Sequence, residues 1–107
     1  MKNAKQRYRL TSEAAQDLLS IARYTVENWG IEQSRQYASE LESKFALLAS
    51  KQLPAKPFGD NLPDIIVWHS KYHSVYYTDE TNSECIVIIA VLHQKMNSRQ
   101  TVENRLP

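Results

Sequence analysis

The side chains of this sequence that could take part in acid–base or phosphate chemistry lie in its second half. They are three histidines and three cations, namely His69, His73, His93, Lys71, Lys95 and Arg99. Hydrolysis or RNA cleavage requires an acid, a base and a charge-stabilising group that converge on one point. His93 and Lys95 are two residues apart, so they share a face if a strand extends that far. In that arrangement His93 could act as a general base and Lys95 could stabilise a phosphate oxygen.

The simpler interpretation of His93 is a hydrogen bond at the end of a strand, and the sequence favours it. Spacing ties no acidic residue and no second cation to the His93–Lys95 pair. His69 and His73 are four residues apart but in or next to strands, with no cysteine or acid at metal-ligand spacing. Phosphate-binding glycine loops and nucleophile elbows are also absent from the sequence. We therefore predict no catalytic residue, no metal site and no cofactor.

Aromatic residues crowd the segment that follows residue 67, at Trp68, Tyr72, Tyr76 and Tyr77. Tyrosine and tryptophan are favoured in protein interfaces, and they also stack on nucleic-acid bases. We interpret Tyr77 and Trp29 as core residues. Trp68 and Tyr76 occupy even positions of adjacent predicted strands, so we expect them to share the face away from the helices. Aromatic rings on that face would need another chain to cover them.

Length and charge restrict the class of protein. A chain of 107 residues fits a single domain, for which we predict a core over about residues 7–97 and a C-terminal tail over 98–107. The net charge of +1, from 13 Lys+Arg against 12 Asp+Glu, is low for a nucleic-acid-binding domain. The single cysteine, Cys85, fits a reducing cytosol. Because the longest apolar run is far shorter than the ~20 residues of a membrane helix, we expect a cytoplasmic protein without a membrane segment. We expect no sequence-specific contact with nucleic acid.

The apolar periodicity predicts one strand followed by two helices in the first half of the chain. Residues 7–11 alternate between polar and apolar side chains, which is typical of a half-buried strand. Apolar residues then recur in steps of three and four from Ala14 to Trp29 and again from Ile31 to Leu48, which predicts two helices. Gly30 separates them, and so short a connection predicts an antiparallel helical hairpin.

The second half of the chain predicts a loop and three strands. Prolines and Gly59 make residues 53–64 a loop. The three strands follow at residues 65–70, 73–78 and 85–93, with a polar hairpin loop at 79–84. The last strand is apolar on both faces, which is typical of the middle of a sheet. The predicted fold class is α+β, in the order β-α-α-β-β-β, with the helical hairpin packed on an antiparallel sheet.

An ordered set of residues extends through these elements. In the helices it comprises Leu10, Ala14, Asp17-Leu18, Ile21, Tyr24-Thr25, Trp29-Gly30, Gln33, Tyr37, Leu41, Phe45 and Leu48-Ala49. In the strands it comprises His73-Ser74-Val75-Tyr76-Tyr77 and Val91-Leu92-His93-Gln94-Lys95-Met96. This set resembles the helical hairpin, the penultimate strand and the closing LH-x-[KR]-M motif of ParE toxins. ParE toxins belong to the RelE/ParE superfamily of bacterial toxin–antitoxin systems.

The resemblance implies a RelE/ParE-like fold and a toxin that arrests growth without catalysis. It implies two protein partners, a cognate ParD-like antitoxin that neutralises the toxin and DNA gyrase as the target. Activity in the family is ascribed to the closing segment, which implies target-binding residues at Lys95, Met96 and Arg99. For the antitoxin we expect contacts at Trp68, Tyr72, Tyr76 and His93.

The sequence also departs from the family pattern. Lys51-Gln52-Leu53-Pro54-Ala55-Lys56-Pro57 stands where the family often has a Pro-x-x-Gly-basic turn, and Lys71-Tyr72 stands where a Gly-Arg pair is common. Two other functions therefore stay open. A RelE-like ribosome-dependent mRNA endoribonuclease would use His93, Lys95 and Arg99, although such proteins need many cations to lie on RNA. A relative without toxicity would only bind its antitoxin.

Overall fold

The computed structural model describes residues 7–59, 62–94 and 97–106, with Pro63 described by its backbone alone. Eight elements follow one another in these ranges: β1 (Arg7–Leu10), α1 (Ser12–Trp29), α2 (Ile31–Ala49), β2 (Lys56–Gly59), β3 (Leu62–His69), β4 (His73–Thr78), β5 (Cys85–His93) and α3 (Ser98–Arg105). Within them, no helix is both long and apolar enough to cross a membrane. Lys95 and Met96, two of the three predicted target-binding residues, lie outside the described residues.

The five strands form one sheet in the order β1-β5-β4-β3-β2. The predicted α+β class is confirmed, and β5 lies inside the sheet as its apolar sequence indicates. The pairing is mostly antiparallel, but β1 runs parallel to β5, with Arg7 opposite Cys85 and Leu10 opposite Ile88.

The predicted loop at residues 53–64 is wrong in part, because it contains β2 and the start of β3. Pro57 misled the sequence interpretation. It lies in an edge strand, where its missing N–H removes no bond from the interior of the sheet. The pairing of β2 with β3 shifts between Pro57 and Gly59, as is common at irregular sheet edges.

The helical hairpin turns at Gly30, as predicted. The Thr11 side chain accepts a hydrogen bond from the Ala14 backbone N–H at 3.1 Å and caps α1. Gly30 ends α1 with φ of 96°, a left-handed conformation that residues with a Cβ avoid. The helices then pack side by side, and the Ser34 hydroxyl donates to the Ala22 carbonyl oxygen at 3.2 Å.

The main core lies between the helical hairpin and one face of the sheet. Its fully or nearly fully buried members are Ala14, Leu41, Phe45, Leu48, Ala49, Val75, Tyr77, Ile86, Ile88 and Val91. Tyr77 is 5% exposed, which confirms its prediction as a core residue. Trp68 packs against this core from its edge.

The other face of the sheet is covered by α3. Val102 is completely buried there, against a second cluster that includes Ile65, Tyr76 and Leu92. The segment that we expected to be a C-terminal tail therefore contains a packed helix. The sequence does not predict this helix, because only two apolar residues of the segment pack against the sheet cluster. They are Val102 within the helix and Leu106 directly after it, too few to give a periodic stripe.

Trp68 and Tyr76 lie on opposite faces of the sheet, so the expectation that they share a face is wrong. Residues directly opposite each other in adjacent strands point to the same side, and successive residues alternate. Trp68 is opposite Val75 and therefore points toward the helices. Tyr76 is opposite Val67, is 3% exposed and packs beneath α3 with its ring 5.0 Å from that of Phe58.

Candidate functional site

A cavity of about 570 Å³ opens between α1, the start of α2, the beginning of β4 and the end of β5. Its walls are lined by Asp17, Ser20, Ile21, Tyr24, Thr25, Trp29, Gln33, Tyr37, Tyr72, His73, Val91, Leu92, His93 and Arg105. We call it the aromatic groove, after its ring-bearing residues Tyr24, Trp29, Tyr37, Tyr72, His73 and His93. A concave, largely apolar surface with a few polar groups is the usual form of a binding site.

The outer wall of the groove consists of exposed aromatic side chains. Trp29 is 71% exposed, Tyr24 63% and Tyr72 53%. The prediction that Trp29 belongs to the core is wrong, because Trp29 is the last residue of α1 and the chain turns away at Gly30 before another element can cover it. Large exposed aromatic residues around one concavity are typical of an interaction surface.

The base of the groove is formed by Tyr37, His73 and His93. His73 and His93 are direct partners across β4 and β5, and their ring centroids are 5.5 Å apart. The Tyr37 hydroxyl and His73 Nδ1 share a hydrogen bond of 2.6 Å, whose donor depends on the histidine tautomer. The Tyr37 ring also meets the Tyr72 ring edge-on at 6.4 Å.

Burial governs the protonation of His73 and Tyr37. Desolvation, assisted by the neighbouring His93, lowers the pKa of His73 to about 4. Desolvation likewise raises the pKa of Tyr37 above its usual 10.0. His73 is therefore neutral at pH 7, and its low pKa makes it a poor general base there.

The inner wall of the groove is closed by an ion pair between α1 and α3. Arg105 donates from both guanidinium NH₂ nitrogens to Asp17, at 2.7 Å to Oδ2 and 3.0 Å to Oδ1. The same Asp17 Oδ2 accepts the Val91 backbone N–H at 3.0 Å, and Arg105 Nη1 also donates to the Ile89 carbonyl oxygen at 2.9 Å. Because β1 ends opposite Ile88, these two side chains bind backbone groups of β5 that lie beyond β1.

The rim of the groove at Tyr72 is held by the end of β5. The Gln94 backbone N–H donates to the Tyr72 carbonyl oxygen at 3.2 Å, and the Gln94 side-chain amide donates to the Ser70 carbonyl oxygen. Lys71 Nζ lies 5.4 Å from the centroid of the Tyr72 ring, within the range of a cation–π contact. These contacts fix the turn that presents Tyr72 beside His73.

Comparison with known proteins agrees with this architecture. A family model described as the ParE toxin of the type II toxin–antitoxin system, parDE, matches residues 8–98. This chain belongs to the ParE toxin family. It is similar to Toxin ParE of Escherichia coli, with 33% identity over 99 residues that cover 92% of this chain and 95% of that protein. It is also similar to Toxin ParE1 of Caulobacter vibrioides, with 35% identity over 92 residues that cover 86% of this chain and 93% of that protein.

Two solved structures share the fold of this ParE family member. One is a chain of the chromosomal ParDE toxin–antitoxin system from P. aeruginosa, with a TM-score of 0.67 and 16% identity over 87% of this chain and 98% of that one. The other is a chain of the toxin–antitoxin complex RelBE2 from Mycobacterium tuberculosis, with a TM-score of 0.63 and 21% identity over 85% and 100%. Sequence identities this low establish the shared fold only.

The residues predicted as sites in this ParE toxin are divided between the two faces of the sheet. Tyr72 and His93 meet in the aromatic groove, whereas Trp68 is half-buried at the core edge and Tyr76 is covered by α3. Arg99 lies on the α3 side, where its guanidinium carbon is 5.2 Å from the Phe58 ring centroid. His93 points to the helical side, like Val91 two residues earlier, so the sheet separates it from Arg99.

Sequence reasoning missed Tyr24, Tyr37, Asp17 and Arg105 as groove residues. Tyr24, Tyr37 and Asp17 belong to the set that resembles ParE toxins, but neither their spacing nor their chemistry indicated a shared cavity. Arg105 meets Asp17 across 88 positions of sequence, a separation that no local pattern records.

Proposed function

We propose that this ParE toxin arrests growth by binding DNA gyrase in the cytoplasm, without catalysis of its own, and that a ParD-like antitoxin neutralises it by covering the aromatic groove. One observation carries the non-catalytic part of this proposal. Of the residues that a nuclease would use, His93 and Arg99 do not converge, since they lie on opposite sides of the sheet.

RNA cleavage by proton transfer requires its acid, base and cation within hydrogen-bond reach of one phosphate. Arg99 is instead engaged with Phe58 and lies 3.8 Å from Glu103 on its own helix. His73, the other histidine of the groove, is neutral at pH 7 because its pKa is about 4. Uncharged His73 and Tyr37 side chains beside aromatic walls suit a protein segment better than a polyanion.

The antitoxin part of the proposal rests on the exposed aromatic wall. Trp29, Tyr24 and Tyr72 leave more than half of their surface open, and tyrosine and tryptophan dominate the binding energy of protein interfaces. The structures with the same fold come from a ParDE system and a RelBE2 toxin–antitoxin complex. Of the four residues that we predicted to contact an antitoxin, Tyr72 and His93 lie in this groove, and they remain the antitoxin contacts that we propose.

The target part of the proposal concerns the segment after β5. We propose that Lys95 and Met96 contact gyrase, as the family resemblance implies. Lys95 and Met96 follow directly on Gln94, which is bound to the turn at Ser70 and Tyr72. Gyrase binding there would therefore occur next to the groove, and an antitoxin in the groove would hinder it sterically. We propose Arg99, whose guanidinium carbon lies 5.2 Å from the Phe58 ring centroid, as the third gyrase contact.

The test is a supercoiling assay with purified gyrase, relaxed plasmid and the purified toxin. We expect loss of supercoiling and trapped DNA cleavage, both abolished by the double substitution Lys95→Ala and Met96→Ala. Lys56→Ala, which removes an exposed lysine from the edge strand β2, is the matched control and should keep full activity. Unchanged supercoiling at excess wild-type toxin, together with cleavage of mRNA on purified ribosomes, would replace gyrase inhibition with the nuclease function.

A further inference from the structure

We propose that His73 and His93 form a two-histidine binding site for a divalent transition-metal cation, such as Zn²⁺, at the base of the aromatic groove. The two residues are direct partners across the antiparallel strands β4 and β5. Side chains at such positions leave the same face of the sheet with their Cβ atoms about 4.5–5.5 Å apart. This cation site goes beyond the proposed toxin function and does not depend on it.

The separation of the rings fits a shared cation. A Zn–N bond of about 2.0–2.1 Å, added to the roughly 1.1 Å between a ring nitrogen and its centroid, puts the cation about 3.2 Å from each centroid. Two centroids 5.5 Å apart then subtend an angle of roughly 120° at the cation, close to tetrahedral geometry. The two rings are nearly perpendicular, at 84°, so cation binding requires the side chains to rotate until one nitrogen of each ring points at the shared cation.

Tyr37 supplies the support that metal-binding histidines need. Its hydroxyl lies 2.6 Å from His73 Nδ1. When Nδ1 carries the ring hydrogen, it donates to the Tyr37 hydroxyl oxygen, and Nε2 keeps its lone pair for the cation. Such a partner for the other ring nitrogen fixes both the tautomer and the orientation of a ligating histidine.

The composition of the site selects the kind of cation. Among the described residues, no three His, Cys, Asp or Glu side chains group at metal-binding distances, so water completes the coordination. The groove of about 570 Å³ leaves room for that water above the two rings. Imidazole nitrogens favour Zn²⁺, Cu²⁺ or Ni²⁺, whereas Mg²⁺ and Ca²⁺ require oxygen ligands. Asp17 also lines the groove, but its carboxylate is paired with Arg105, so we do not propose it as a ligand of the cation.

The experiment is calorimetric titration of the full chain with Zn²⁺ after removal of metals by a chelator. We expect one Zn²⁺ per chain, and a loss of affinity of at least about tenfold in both His73→Gln and His93→Gln. Tyr37→Phe keeps both ligands but removes the orienting hydroxyl, and it should weaken binding about ten- to hundredfold. His69→Gln is the matched control, because His69 binds Ser74 on β4 and does not line the groove.

A second measurement makes the result independent of any folding defect in the variants. In wild-type protein, substoichiometric Cu²⁺ should broaden the NMR signals of the His73 and His93 rings together and leave those of His69 sharp. Absence of Zn²⁺ binding to the wild type, binding that survives His93→Gln, or broadening of the His69 ring in preference to the other two would overturn the proposal.

Discussion

Arg105 and Asp17 form a two-pronged ion pair that joins the last helix of the chain to the first. The two contacts of 2.7 and 3.0 Å connect residues 88 positions apart. Both side chains also bind the backbone of β5, so α1, α3 and β5 meet at one point. At its other end α3 is held by Arg99, whose guanidinium lies over Phe58 and against Gly59. The helix is therefore attached to the sheet by an arginine at each end and by Val102 between them.

Arg105→Ala should destabilise the fold by about 3 kcal/mol, because it leaves Asp17 largely buried without its cation. The side chains of Arg105 and Asp17 are only 17% and 14% exposed, so water replaces the lost partner poorly. Urea unfolding followed by circular dichroism measures the loss. Arg99→Ala is the control, since Arg99 is half-exposed and its contacts with Glu103 and Phe58 contribute about 1 kcal/mol together. Equal losses in the free energy of unfolding of the two variants would mean that the Arg105–Asp17 ion pair stabilises the fold no more than the exposed contacts of Arg99 do.

Acid should destabilise the fold through His73. Its pKa is lowered from 6.5 to about 4 in the folded chain, so the unfolded chain binds more protons between these two values. The contribution of His73 to the free energy of unfolding is therefore complete above pH 6.5 and is lost as the pH falls toward 4. We expect the stability difference between wild type and His73→Gln to shrink across this window, measured by urea unfolding in the presence of a chelator. A difference that stays constant from pH 7 to pH 4 would contradict the lowered pKa.

Gly30→Ala should destabilise the helical hairpin by about 1–3 kcal/mol, through backbone strain alone, because positive φ with extended ψ is nearly restricted to glycine. The φ of Gly30 is 96°, and an added Cβ would meet no atom within 4 Å. Gly59→Ala is the informative comparison, because there the added Cβ would lie 2.7 Å from the end of the flexible Arg99 side chain. Since that guanidinium can move aside, we expect a smaller loss. Thermal unfolding of both variants measures the two effects.

Local patterns predicted the fold well where the determining contacts are local. The structure confirms three such predictions: the turn at Gly30, the two helices predicted from the stepping of apolar residues, and the strand at 85–93. Contacts that depend on register or distant packing were beyond such patterns. Trp68 and Tyr76 could be assigned to faces only after their partners Val75 and Val67 were known. Helix α3 is held in place by the packing of Val102 on the face of the sheet away from the helical hairpin. Trp29 is exposed because no later element among the described residues covers it.

The candidate site was less predictable than the fold for the same reason. Tyr72 and His93 were singled out by residue type, and both line the groove. Tyr24, Tyr37, Asp17 and Arg105 come from three different helices, and only tertiary packing brings them together. The gyrase contacts at Lys95 and Met96 remain predictions.

Trp29→Ala and Tyr72→Ala should separate antitoxin binding from stability. Both side chains are more than half exposed, so their loss should change the free energy of unfolding by less than about 0.5 kcal/mol. As aromatic anchors of an interface, each should contribute at least about 2 kcal/mol to binding, which is roughly a 30-fold change in Kd. Calorimetry with the purified antitoxin measures the affinity, and growth during co-expression reports neutralisation. Leu19→Ala is the matched control, because Leu19 is 58% exposed on α1 but does not line the groove. If Leu19→Ala weakens the complex while Trp29→Ala does not, the antitoxin binds a surface other than the aromatic groove.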